Sequence, residues 1–189
     1  VTQQTDVEAM VRTAVDVFGG LDCAVNNAGI TGAAAAIPDL SLEAWNRTLL
    51  VNLTGVFLCL KHEIPVMNEQ GGGAIVNMAS GAGLVPVPGL PHYCASKHGV
   101  LGLTKTAAVE GARAGVRVNA LCPGSTDTPA LRAAMDGNPQ IEKMILSSVP
   151  SRRLGRPQEI AEAAVWLCSD RASYVNGASL LVDGGAVAR

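Results

Sequence analysis

Four runs of mostly apolar residues, each bounded by glycine or polar turn residues, recur along the chain: "LDCAVNNAG", "GGAIVNMAS", "GVRVNALCPG" and "GASLLVDGG". Their apolar positions are consecutive rather than alternating, which is the pattern of strands covered on both faces. Each run follows a segment with helical character. In the first such segment, "TDVEAMVRTAVDVFGG", Thr5 and Glu8 have capping-box spacing, Val7, Met10, Val11, Ala14 and Val15 form an apolar stripe, and Gly19 and Gly20 end the helix. Further helices are expected at residues 42 to 69, 92 to 113 and 157 to 169, the last with Pro157 at its first position. Alternation of strand and helix predicts an α/β fold, a parallel sheet with helices on both faces.

Composition narrows this picture. A chain of 189 residues suits one domain. With 48% hydrophobic but only 3% aromatic residues, the core is built of Ala, Val, Leu and Ile, and 21 glycines imply tight turns or close backbone approaches. A net charge of -2 leaves no electrostatic footprint for nucleic acid or an anionic membrane, and the one basic cluster, "SRRLGR", reads as a solvated loop. Cys23, Cys59, Cys94, Cys122 and Cys168 lie far apart without a C-x-x-C pair. They read as buried free thiols in a reducing compartment, not as a disulfide frame or metal site. The longest apolar segment, "LLVNLTGVFLCL", is interrupted by Asn52, Thr54 and Gly55 and is too short to span a bilayer. With no signal peptide visible, a soluble cytoplasmic protein is expected.

Candidate chemistry gathers where the expected strands end. In "PHYCASKHGVLGLTK", Tyr93 and Lys97 stand one helical turn apart, so phenol and ammonium share a face. Ser80 ends the "AIVNMAS" strand shortly before, and strand C-termini are where open α/β sheets place their sites. A tyrosine titrates near pH 10, so carrying a proton at neutral pH requires help such as an adjacent cation, and a serine hydroxyl can orient the oxygen involved. The other reading of Tyr93 and Lys97 is a half-exposed helix pair of little worth. Asn52, polar within an apolar helical run, is either satisfied in the core or holds a water at a functional kink. The turns Asn26-Asn27-Ala28-Gly29 and Pro123-Gly124 read either as plain turns or as cofactor contacts. "GGG" at residues 71 to 73 precedes a strand and is therefore a turn, because a phosphate loop follows one. The long Pro- and Gly-rich excursion at about residues 125 to 155 reads as a lid.

In order and spacing, "NNAG", Asn52 in "VNLTGVF", Ser80 in "IVNMAS", "YCASK", "RVNALCPG" and "GASLLVDGG" resemble the classical short-chain dehydrogenase/reductase family over essentially the whole chain. The resemblance implies a Rossmann-like doubly wound sheet and hydride transfer between NAD or NADP and a secondary alcohol or ketone. It implies Tyr93 as general acid/base, Ser80 orienting the substrate oxygen, and Asn52 holding a relay water. Lys97 is implied to bind the nicotinamide ribose and lower the Tyr93 pKa. Asn26 is implied beside the adenosine half of the cofactor and Val1 beside its adenine, and Ala28 and Gly29 are implied to contact the cofactor as well. Pro123, Gly124, Thr126 and Thr128 match the segment at the nicotinamide carboxamide. A homotetramer is implied, with a dimer as second choice, through the two long central helices and the last strand.

The departure from the pattern lies at the front. The family's T-G-x-x-x-G-x-G turn after a first strand, and the residue that selects NAD or NADP after a second, have no counterpart, so roughly the first quarter of the fold is expected to be missing and the chain to be part of a longer polypeptide. The alternative is a binding or oligomer-forming protein of the same fold, inactive for lack of the phosphate-binding turn. The apolar wall "GLVPVPGL" between Ser80 and Tyr93 points to a small, largely uncharged substrate.

Overall fold

The computed structural model describes residues 1–135 and 138–188; residues 136 and 137, within the expected lid, and residue 189 lie outside the described residues. Four strands, β1 (Cys23–Asn26), β2 (Gly73–Met78), β3 (Val116–Pro123) and β4 (Ser179–Val182), form one parallel sheet in the order β1-β2-β3-β4. The register pairs Cys23 with Ala74, Gly73 with Val116 and Ala120 with Ser179. Parallel neighbours require crossovers, and helices supply them: α2 (Leu42–Leu49) and α3 (Gly55–Glu69) between β1 and β2, α4 (Pro91–Gly111) between β2 and β3, and α5 (Pro129–Met135), α6 (Pro139–Ser148) and α7 (Pro157–Cys168) between β3 and β4. α1 (Gln4–Phe18) packs beside α3.

The period of two along each strand sorts side chains between two layers. Ile75, Val116, Val118, Ala120 and Cys122 meet Val56 and Leu60 of α3 and Val100 and Ala107 of α4. Val76 and Leu121 point the other way and meet Ile160, Ala164 and Leu167 of α7. The Arg117 guanidinium anchors the end of α7, donating to the carbonyl oxygens of Leu167 (2.8 Å) and Ser169 (3.2 Å), where the helix dipole favours a cation.

Four local expectations need correction. α1 starts at Gln4 with Gln3 as N-cap and no side-chain capping bond, so the Thr5–Glu8 capping box does not form; its C-terminus does stop at Gly19, in the left-handed region at φ 82°. Of the expected stripe, Val7 and Val11 are buried, whereas Met10 is 49% exposed. The apolar helix is longer than the segment judged too short to span a bilayer: Leu42–Glu69 covers 28 residues and passes that test by length and composition. Val56, Leu60 and Met67 nevertheless pack it on the sheet. Cys23 is exposed, contrary to the reading of all five thiols as buried, because β1 is the edge strand of the sheet among the described residues; Cys59 and Cys122 are buried.

Candidate active site

The site forms where β2 and β3 run out and α4 begins. Ser80 follows β2 and caps a short 3-10 turn, its hydroxyl accepting from the Ala82 N–H at 3.2 Å. Pro91 stands in the first turn of α4, so Tyr93 and Lys97 fall in its first two turns on one face. Lys97 is only 5% exposed; its Nζ donates to the Met78 carbonyl oxygen at 2.7 Å and lies 5.6 Å from the centre of the Tyr93 ring. Gly83 lets these pieces close up, because a Cβ there would stand 2.9 Å from the Lys97 carbonyl oxygen.

Burial dominates the electrostatics. It pulls the Lys97 ammonium down to about 8, with the Cys122 sulfur beside it acting in the opposite sense. Burial also pushes the Tyr93 phenol above its ordinary value, while the Ser80 hydroxyl beside it pulls the other way and Cys94 adds to the rise. Among these causes the Ser80 hydroxyl is the one that favours the phenolate.

Asn52 is satisfied within the core, the first of its two open readings. It is fully buried, and the helix widens into a π turn at Leu50–Thr54 around it, which separates α2 from α3. Its amide is satisfied by a distant loop: Oδ1 accepts from the Ile30 N–H at 2.8 Å, and Nδ2 donates to the Ile30 carbonyl oxygen at 2.8 Å and to Ser96 Oγ at 3.1 Å. Ser96 in turn donates to the Tyr93 carbonyl oxygen at 2.7 Å. A hydrogen-bonded chain therefore runs from the loop after β1 through Asn52 and Ser96 to the first turn of α4. Ser96, Ile30 and the Met78 carbonyl were not singled out from the sequence; Ser96, a polar residue between Tyr93 and Lys97, had a signal, but a backbone carbonyl has none.

The remaining candidates fall in two groups. Val1, Asn26 and Ala28 line a cavity of about 370 Å³ between β1, α1 and α3. Asn26 lies at its inner wall, where Nδ2 donates to Glu63 Oε2 and to Asn77 Oδ1, both at 3.0 Å, and Asn77 Nδ2 passes the chain on to Thr104 Oγ1 at 3.0 Å. Glu63, buried beneath this ladder, has its carboxyl raised to about 7 by desolvation, with the Asn26 amide lowering it. Gly29 sits nearer the centre of the site: a Cβ there would stand 3.3 Å from Asn52 Oδ1 and 3.7 Å from Lys97 Nζ. On the far side, Pro123 ends β3, Gly124 backs onto Asp183, Thr126 Oγ1 donates to the Gly124 carbonyl oxygen at 3.1 Å, and Thr128 Oγ1 accepts from the Leu131 N–H at 3.2 Å, in the first turn of α5.

Comparison with known proteins agrees with this architecture. The family described as Enoyl-(Acyl carrier protein) reductase matches residues 1–187. The chain is 46% identical over 189 residues to the 2,5-dichloro-2,5-cyclohexadiene-1,4-diol dehydrogenase of Sphingobium indicum, covering 100% of this chain and 76% of that protein. It is 43% identical over 179 residues to the cyclohexanol dehydrogenase of Acinetobacter sp. strain SE19, covering 95% and 69%. The solved structure of ElxO with NADP bound superimposes with a TM-score of 0.95 at 33% identity, covering 100% of this chain and 76% of that one. The chain belongs to the classical short-chain dehydrogenase/reductase family, with a Rossmann-like fold. It is an oxidoreductase that acts on CH–OH groups with NAD or NADP, and the reading as an inactive binding protein is not favoured.

Proposed function

We propose that the protein interconverts a small, uncharged, ring-shaped secondary alcohol and its ketone, with Tyr93 as general acid/base. The observation that carries the reading is the half-buried Tyr93 phenol beside the Ser80 hydroxyl, one helical turn from Lys97. The named substrates of the two dehydrogenases above are cyclic alcohols, and the wall from Gly83 to Leu90 contains no charged residue.

When bound, NAD or NADP supplies or takes up the hydride at the carbinol carbon. The residues present suit its nicotinamide ribose: Lys97 gives one of its three N–H groups to Met78, and at Gly29 no side chain stands before the others. In ketone reduction the Tyr93 O–H donates its proton to the carbonyl oxygen, and in alcohol oxidation the phenolate accepts the hydroxyl proton. Ser80 holds that oxygen by a hydrogen bond, and Asn52 fixes the loop at Ile30 and positions a relay water. Asn26 and Ala28, with Val1, serve the adenosine side, while Gly29 stands by the ribose beside Lys97; Pro123, Gly124, Thr126 and Thr128 serve the carboxamide side. The segment at about 125 to 155 acts as the lid of one domain spanning residues 1 to 189. Phe57 on α3, Val109 on α4 and Leu181 on β4 expose apolar surface, which supports a homotetramer, with a dimer as second choice, in the cytoplasm.

The test is a panel of cyclic and open-chain alcohols and ketones, assayed in the full-length protein with each cofactor, with the mass measured by light scattering. Turnover of uncharged ring substrates is expected. Turnover confined to charged substrates would overturn the substrate class, and a monomeric mass would overturn the assembly.

A further inference from the structure

The two residues that flank Tyr93 each hold one of the loops that meet at the start of α4. Cys94 fastens the loop from Leu84 to Leu90: its Sγ accepts from the Val87 N–H at 3.3 Å and lies 3.9 Å from the Val87 carbonyl oxygen. His92 abuts the loop from Ile30 to Ala36. It is fully buried, neither ring nitrogen has a hydrogen-bond partner among the described residues, and Gly32 lies hard against it. A Cβ added at Gly32 would collide with His92 Nε2, stand 2.9 Å from Cδ2 and 3.2 Å from Thr48 Oγ1. Gly32 also has φ 77°, so both its conformation and its lack of a side chain are required there.

The two loops also join each other. The Ala35 N–H donates to the Gly89 carbonyl oxygen at 2.9 Å, and a Cβ at Gly89 would touch the Ala34 methyl at 3.8 Å. The joined segments, "ITGAAAA" and "LVPVPGL", hold no charged residue, and Thr31 is their only polar side chain. They make an apolar arch whose feet stand on positions 92 and 94, one residue to either side of the proton carrier.

We propose that His92 and Cys94 are positioning residues that set the span of this arch and thereby the ring size of substrate accepted against Tyr93. This rests on the reading of the substrate as an uncharged ring alcohol or ketone. A buried imidazole without partners is costly, and what it supplies here is volume: it wedges the Gly32 turn at a set distance from α4. Cys94 sets the other side through its two contacts with Val87. Neither residue is asked to touch the reacting atoms.

The experiment measures kcat and KM of the full-length protein for cyclopentanone, cyclohexanone, cycloheptanone and cyclooctanone, with hydrogen exchange at the Val87 and Ala35 amides as a readout independent of activity. In His92→Ala and Cys94→Ala, the ratio of kcat/KM between large and small rings should rise by about tenfold or more, the scale of one methylene in an apolar pocket, and do so mainly through KM. The pH profile should keep its midpoint, and Val87 should lose protection in Cys94→Ala. Cys94→Ser, which keeps an acceptor and a donor, should restore both toward wild type. Gly32→Ala should impair the protein, and adding His92→Ala should relieve that impairment. An unchanged ring preference in folded His92→Ala and Cys94→Ala, or a double variant no better than Gly32→Ala alone, would overturn the inference. Wild-type turnover of charged but not of uncharged rings would instead overturn the substrate reading, and Val87 exchange unchanged in Cys94→Ala would remove the latch whatever the substrate.

Discussion

The corner around Tyr93 and the excursion between β3 and α7 are held by different physics. In the corner, Asn52, Ser96 and Lys97 are nearly or fully buried, and each bonds to a separate segment of backbone. In the excursion α6 buries no residue, and Met135 and Val149 are the buried apolar anchors among the described residues. Its visible fastenings are the exposed pairs Arg132–Asp127 (2.6 Å) and Arg153–Glu159 (2.7 Å) and a short stem where Thr126 bridges Gly155. Buried hydrogen bonds have no water to replace a lost partner, whereas exposed ion pairs do, so the corner is rigid and the excursion easily opened.

The largest expected effect is at Tyr93. Tyr93→Phe should lower kcat by about a hundredfold to ten-thousandfold, the usual worth of a positioned acid/base, with cofactor affinity by fluorescence titration nearly intact. Comparable turnover in the variant would show that another group carries the proton.

Next is Asn52→Ala, which strips the partners from the Ile30 N–H and carbonyl and from Ser96. Each buried polar group left unpaired costs about 1–3 kcal/mol, so urea denaturation should show a clear loss of stability together with a fall in kcat. Full stability in this variant would mean that the corner is not held as described.

Glu63 tests the ladder beneath the site through pH. Its native carboxyl is raised to about 7 from 4.5, so between those values the native state holds more protons than the unfolded state, and stability falls as pH rises. The penalty is absent below the unfolded value and complete above about 7. At about 1.4 kcal/mol per tenfold change in proton affinity, it is bounded at about 3.5 kcal/mol. Glu63→Gln keeps an acceptor for Asn26 and should flatten this slope in denaturation curves taken across about pH 4 to 8. An unchanged slope would assign it to other groups.

The smallest effect is expected from Arg132→Ala, which opens an exposed pair in the excursion. Thermal stability should be unchanged within error, and KM should move by less than about threefold. A loss of stability matching that of Asn52→Ala would erase the contrast between the two regions.

Much of the fold was legible in the chain because the signals are local. Apolar runs located all four strands, Gly19 and Pro157 marked a helix end and a helix start, and the four-residue spacing of Tyr93 and Lys97 sufficed to put them on one face. The capping box at Thr5 misled because a motif permits a cap without compelling it, and the helix begins two residues earlier, at Gln4 with Gln3 as N-cap. Burial of the pair was not legible, since the spacing shows that a cation lies near Tyr93 but not how far both groups are withdrawn from water.

By itself, then, the sequence determined what short-range sterics and hydrogen bonding decide: the period of each element, its approximate ends, and which side chains share a helical face. Tertiary structure alone decided which distant groups meet. Ile30, Asn52 and Ser96 come together from three segments, Glu63 is sealed under Asn26, and His92 fits a turn made by Gly32. Those pairings depend on chain closure across the sheet, and a buried polar group takes whichever partner that closure brings within bonding distance, which no local pattern encodes.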